Sequence, residues 1–80
     1  MKVSVYKTFK YENFFLYVSE AEGLTRVPQS LLCKFADRCL VLNFDLTIDV
    51  TLAKEDPEKV LDNINRMGYH LQLPPVFGHQ

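Results

Sequence analysis

The chain has 80 residues and a formal net charge of −1; 48% of it is hydrophobic and 24% charged. That length supports one domain with little margin, burying roughly 60–65% of its unfolded surface at a stability toward the low end of about 5–15 kcal/mol. The charge balance weighs against a dedicated nucleic-acid binder, and Phe14 to Val18, the longest apolar run, is far short of the ~20 residues of a membrane span.

In chain order, residues 2–9 alternate as a strand, with Val3 and Val5 on one face and Ser4, Tyr6 and Thr8 on the other. Residues 14–19 predict a second strand, with Phe14, Leu16 and Val18 on one side and Phe15 and Tyr17 on the other, the pattern of a central strand. Lys10 to Asn13 have hairpin-loop length, and Asn13 tolerates a positive φ, so the two strands are expected to pair antiparallel. After a loop around Gly23, a short helix of two to three turns is predicted from Pro28, with Val27, Leu31, Leu32 and Phe35 as its apolar stripe.

Residues 39–46 read as a third strand, with Leu40, Leu42, Phe44 and Leu46 toward the core and Cys39, Val41, Asn43 and Asp45 away from it. Thr47 to Leu52 fit a short return strand or an extended loop equally well. The strongest signals follow. Asp56 suits an N-cap, Pro57 the first helical position and Glu58 the first turn. Val60, Leu61, Ile64 and Met67 recur at the helical period, and Gly68 supplies a left-handed stop. Tyr69, Leu71 and Leu73 then alternate with His70 and Gln72 as a fourth strand, ended by Pro74 and Pro75, with a loose tail over 76–80. The order is ββαβαβ. It predicts an α+β fold, an α/β sandwich with a small mixed four-stranded sheet, two helices and right-handed crossovers, in a single domain spanning 1–80.

The segments LYVSEAEGLTRVPQSLL (16–32), LAKEDPEKVLDNI (52–64) and GYHLQLPP (68–75), with VSVYKT near the start, resemble the YcgL family of small bacterial proteins in collinear order. The resemblance implies a compact sandwich of the same element order in a proteobacterial cytoplasm, and it brings no catalytic residue, cofactor or substrate. The chain departs from the family where Val76 and Phe77 follow Pro75 in place of further prolines and acids. It departs again near Ala36 and Asp37, where a family glycine after the first helix is replaced.

Residue chemistry points the same way. Cys33 and Cys39 lack zinc-finger spacing and are expected as structural thiols, Cys33 among apolar residues of the first helix. Asp45, Asp49, Glu55 and Asp56 fall in one window without a metal-loop spacing. His70 and His79 have no marked serine, and three scattered glycines make no phosphate loop, so no catalytic, cofactor or metal residue is assigned.

Surface chemistry is richer. Six of the ten aromatics (Tyr6, Phe9, Tyr11, Phe14, Phe15 and Tyr17) fall within residues 6–17, interleaved with Lys7 and Lys10. The expected register sets Tyr6, Phe15 or Tyr17, Val41, His70 and Gln72 opposite the main aliphatic core. The leading expectation is a cytoplasmic, non-catalytic module that docks on a protein partner. Its candidate surface is Tyr6, Lys7, Lys10, Tyr17, Arg26, His70 and Gln72. RNA or single-stranded nucleic acid stacking on the same face, with Lys7, Lys10 and Arg26 on phosphates, is the alternative. A small hydrolase-like enzyme using Asp45, Asp49 or His70 ranks below both. If the two helices lie on opposite faces, those aromatics are instead packing residues. A dimer through an edge strand has no signature at this level.

Overall fold

The computed structural model describes residues 1–52 and 55–74. It contains β1 (Lys2–Lys7), β2 (Phe15–Ser19), α1 (Gln29–Lys34), β3 (Cys39–Asp45), α2 (Pro57–Met67) and β4 (His70–Gln72). The expected ββαβαβ order is the order observed. Pro75 and the expected loose tail over 76–80 lie outside the described residues.

The four strands form one sheet in the order β3-β1-β2-β4. All three neighbouring pairs are antiparallel, where a mixed sheet was expected. The reason is topological. The connection through α1 carries the chain past β1, so β3 runs in the same sense as β2 but is bonded to β1 instead. Asn13 takes a φ of 64° in the hairpin between β1 and β2, as its side chain permits. Thr8 and the Phe9 N–H both donate to Asp37, tying the hairpin end to the segment after α1. The Thr8 hydroxyl is the main cause that holds the Asp37 carboxyl below its ordinary range.

The helices lie on opposite faces. Val3, Val5 and Tyr17 pack with Leu46 and with Val60 and Ile64 of α2, whereas Leu16 and Val18 pack on the other face with Val27 and Phe35 beside α1. This explains why β2 is apolar on both sides: it is an interior strand with a layer above and below. Helix α1 is shorter than expected, six residues, and holds no fully buried residue of its own. Leu31 and Leu32 lean on the core while Val27 and Phe35, just outside the helix, are buried.

Helix α2 follows its sequence signals closely. The Asp56 side chain accepts from the Glu58 N–H at 3.0 Å, Pro57 opens the helix, and Gly68 closes it at φ 90° with its N–H donating to the Ile64 carbonyl at 2.8 Å. Arg26 completes that end. It donates to the Arg66 carbonyl at 2.7 Å and the Asn65 carbonyl at 3.4 Å, two of the acceptors a helix leaves unpaired in its last turn.

Two features of β3 correct the expected core-facing pattern, and the open choice over Thr47 to Leu52 is decided. First, β3 is an edge strand and only Phe44 among its seven residues is even partly buried, so Leu40 and Leu42 do not lie in the core. Second, a bulge between Val5 and Tyr6 sets Leu42 opposite Val5 but Leu40 opposite Tyr6, moving Leu40 to the α1 face. Of the two alternatives for Thr47 to Leu52, the loop is the one observed: the Val50 N–H donates to the Thr47 carbonyl in a turn, and Val50 and Leu52 pack under the sheet. Both cysteines are exposed free thiols, not packed ones. Leu31 and Leu32 take the inward side of α1, leaving Cys33 outside, and Cys39 begins the uncovered edge.

Candidate functional site

Helix α2 packs over β2 and β4, and the turn after β3 covers Val3 through Leu46. What neither covers is an open apolar groove of about 440 Å³, lined by Val5, Phe15, Tyr17, Val41, Leu42, Leu52 and Gln72. The period of two explains the lining: Val5 stands opposite both Tyr17 and Leu42, and Phe15 stands opposite Gln72. One wall of the groove is therefore β3, whose outer side has no strand partner among the described residues.

The other wall is polar. Tyr17 donates from its hydroxyl to Gln72 Oε1 at 2.8 Å, and its ring meets the His70 ring edge-on with centroids 5.6 Å apart. His70 donates from Nε2–H to Glu55 and accepts at Nδ1 from the Asn63 amide at 2.9 Å. Its side chain is only 12% exposed. With both ring nitrogens engaged, His70 has no lone pair left for a substrate proton or a metal. Chemically it is a clamp joining the residue before the α2 N-cap, α2 itself and β4.

The seven candidate surface residues separate into groups. Tyr17, His70 and Gln72 come together at the groove. Lys7 and Lys10 sit at the hairpin end with Phe9 and Phe15, the Lys7 ammonium lying 4.9 Å from the centre of the Phe9 ring. Tyr6 is on the opposite face, packed toward Leu16 and Val18, so the expected grouping of Tyr6 with Tyr17 is wrong. The parity of the hairpin register forces this: Tyr6 pairs with Leu16 and Tyr17 with Val5. Arg26 directs its donors at α2 carbonyls and at Glu22, not at a shared surface with the lysines. Glu55 and Asn63 belong to the site but have no sequence signal, being 15 and 7 residues from His70. Among the described residues no three His, Cys, Asp or Glu side chains gather as a metal site, and no helix is long and apolar enough to cross a membrane.

The model of the YcgL domain matches residues 3–75, which span both helices and all four strands except Lys2 at the start of β1. The chain belongs to the YcgL domain family. A YcgL domain-containing protein of Pseudomonas putida strain W619 is 46% identical over 73 residues, 91% of this chain and 75% of that protein. The similarity to a YcgL domain-containing protein of Pseudomonas aeruginosa strain PAO1 is also 46%, over 72 residues, covering 90% and 74% of the two chains. One from Stutzerimonas stutzeri strain A1501 is 44% identical over 73 residues. In this YcgL domain the groove and the β3 edge are apolar surfaces that no strand or helix among the described residues covers.

Burial first, and then the Glu55 carboxylate, push the Tyr17 phenol above its ordinary value of 10.0. The fold thus favours the neutral phenol. Its contribution to stability is complete below pH 10.0 and is lost as pH rises through the raised folded value. Urea unfolding of wild type and Tyr17→Phe, compared at neutral pH and at about pH 11, is expected to show a smaller alkaline loss in the variant. An equal loss in both proteins would remove Tyr17 from this role.

Proposed function

We propose that this YcgL domain is a non-catalytic, cytoplasmic interaction module that accepts an extended protein segment along the outer edge of β3, with apolar side chains entering the adjoining groove. One observation carries this reading. Leu40, Val41 and Leu42 are 47%, 43% and 52% exposed in the middle of a seven-residue edge strand. An edge that long and apolar presents unpaired backbone donors and acceptors beside contact surface for alternate side chains, the combination used in recognition by strand addition.

The groove adds specificity. Phe15, Val41 and Leu42 form an apolar floor, while Tyr17 and Gln72 offer a polar rim.

A Leu42→Lys variant tests the reading. Leu42 is half exposed, so the change is expected to leave folding stability within about 0.5 kcal/mol of wild type. Capture of protein partners by the tagged domain at near-physiological salt, after nuclease treatment, is expected to fall about tenfold, since a charge would enter an apolar contact. Undiminished capture by the variant overturns the proposal. Partners that vanish with nuclease, together with steep salt dependence, would instead indicate nucleic acid at the Lys7, Lys10 and Phe9 end.

A further inference from the structure

We infer that the end of the β1–β2 hairpin is a second binding site, one that takes single-stranded nucleic acid with a base stacked on Phe9 and phosphates on Lys7, Lys10 and Lys34. It goes beyond the reading of the β3 edge and meets that groove only at Phe15, which lines both. The hairpin register builds the site. Lys7 pairs with Phe15 as the last rung of the two strands, and residues 8–14 form the loop beyond it. Within that loop aromatic and basic side chains follow one another as Phe9, Lys10 and Tyr11. Its arms enclose a concave cleft of about 510 Å³, lined in part by Lys7, Phe9, Lys10 and Phe15. That volume suits a small planar group.

Rings and charges are set side by side there. Phe9 is 71% exposed, and the Lys7 ammonium lies 4.9 Å from its ring centre. Across the loop, Tyr11 stacks on Phe14 with centroids 5.1 Å apart, and the Lys34 ammonium at the end of α1 lies 5.8 Å from the Tyr11 ring. The loop is held in place from below. Asp37 commits one oxygen to the Thr8 hydroxyl and the other to the Phe9 N–H.

Charge and shape select the ligand. Among the described residues Lys7, Lys10 and Lys34 have no carboxylate at ion-pair distance, whereas Arg26 and Arg66 each hold one. Such cations call for an anion, and the bare ring beside them calls for a flat apolar partner. A nucleotide carries both in one unit, which is how single-strand sites combine aromatic platforms with a basic track. A duplex offers the phosphates but keeps its bases stacked on one another. An acidic peptide offers charge without the flat partner. An anionic bilayer would need an apolar tip, yet exposed Glu12 and Asn13 stand between Tyr11 and Phe14 at this one. Because the net charge of the chain is −1, the complex is expected to be modest in affinity and sensitive to salt.

Fluorescence anisotropy of a labelled oligouridylate, titrated with the full 80-residue chain, tests this. Saturable binding is expected at low salt. The logarithm of affinity should fall against the logarithm of salt with a slope of about −2, the value for three phosphates neutralised on a single strand. Phe9→Leu is expected to weaken binding about tenfold and Phe9→Tyr to keep it, because stacking needs a ring. Lys10→Gln should weaken binding and flatten the slope by about 0.7. Both side chains are exposed, so the urea midpoint should barely move. No binding at low salt overturns the inference, as does equal affinity for a duplex of the same length or a Phe9→Leu variant that binds like wild type. Binding to phosphatidylserine-containing vesicles in place of the oligonucleotide overturns it too and assigns the tip to a membrane surface. The two proposals fail separately: Phe9→Leu is expected to leave nuclease-resistant partner capture unchanged, since that capture depends on Leu42.

Discussion

Replacing Phe35 by alanine is expected to lower folding stability by about 3–5 kcal/mol, a large part of the margin of a domain this small. Phe35 heads the fully buried side chains by volume and has no exposed surface. It stands at the C-cap of α1 and fills the space between that helix and the α1 face of β2, against Leu16, Val18 and Val27. Helix α1 is too short to hold itself, having six residues and none fully buried, so its attachment to the sheet depends on this ring. The midpoint of urea unfolding measures the effect. Phe35→Leu, which keeps most of the volume, should recover much of the loss, because the cost scales with the cavity left behind. A midpoint shift for Phe35→Ala no greater than that for a truncation at exposed Leu42 would show that the α1 layer contributes little.

Gly68→Ala is expected to cost about 2–3 kcal/mol through two separate effects. The residue sits at φ 90°, where a side chain is strained in any surroundings. A Cβ there would also lie 2.4 Å from Arg26 Cβ and 2.9 Å from its Cδ and Nε. Rotating the arginine relieves the contacts with Cδ and Nε but not the one with Cβ, which is fixed to its own backbone. The end of α2 or the loop carrying Arg26 must therefore move.

Two further variants separate these effects. Asparagine tolerates left-handed backbone, so at an ordinary helix end Gly68→Asn would be mild; here it should be nearly as harmful as alanine. In an Arg26→Ala background, which keeps the Cβ, most of the Gly68→Ala cost should persist. Full recovery in either protein would refute the steric account. Because Gly68 is two residues before His70, the same change is expected to loosen the Glu55–His70–Asn63 clamp. NMR of the His70 ring would report that loosening.

What was legible in the chain was what neighbouring residues decide among themselves. Asp56, Pro57 and Gly68 bound α2 through cap chemistry and backbone sterics contained within a few residues. Asn13 turned the first hairpin for the same reason. The alternation in β1 and β2 placed Val3 and Val5 apart from Tyr6, and Leu16 apart from Tyr17, because the period of two belongs to the strand itself. The motifs spanning 16–75 carried family membership with equal directness.

The tertiary structure alone decided which of these faces meet. CLVLNF reads as a core strand, yet the crossover through α1 delivers it to the sheet edge, where Leu40, Val41 and Leu42 stay about half exposed. Tyr17, Gln72, His70, Asn63 and Glu55 converge only because β4 pairs with β2 beneath α2, joining positions up to 55 residues apart. Alternation along one strand cannot say which side of a neighbour it will match until register is set, and the register sets Tyr6 and Tyr17 on opposite faces of the sheet. Local sequence determined the elements and their faces; long-range pairing determined which apolar edge and which groove the described residues leave open.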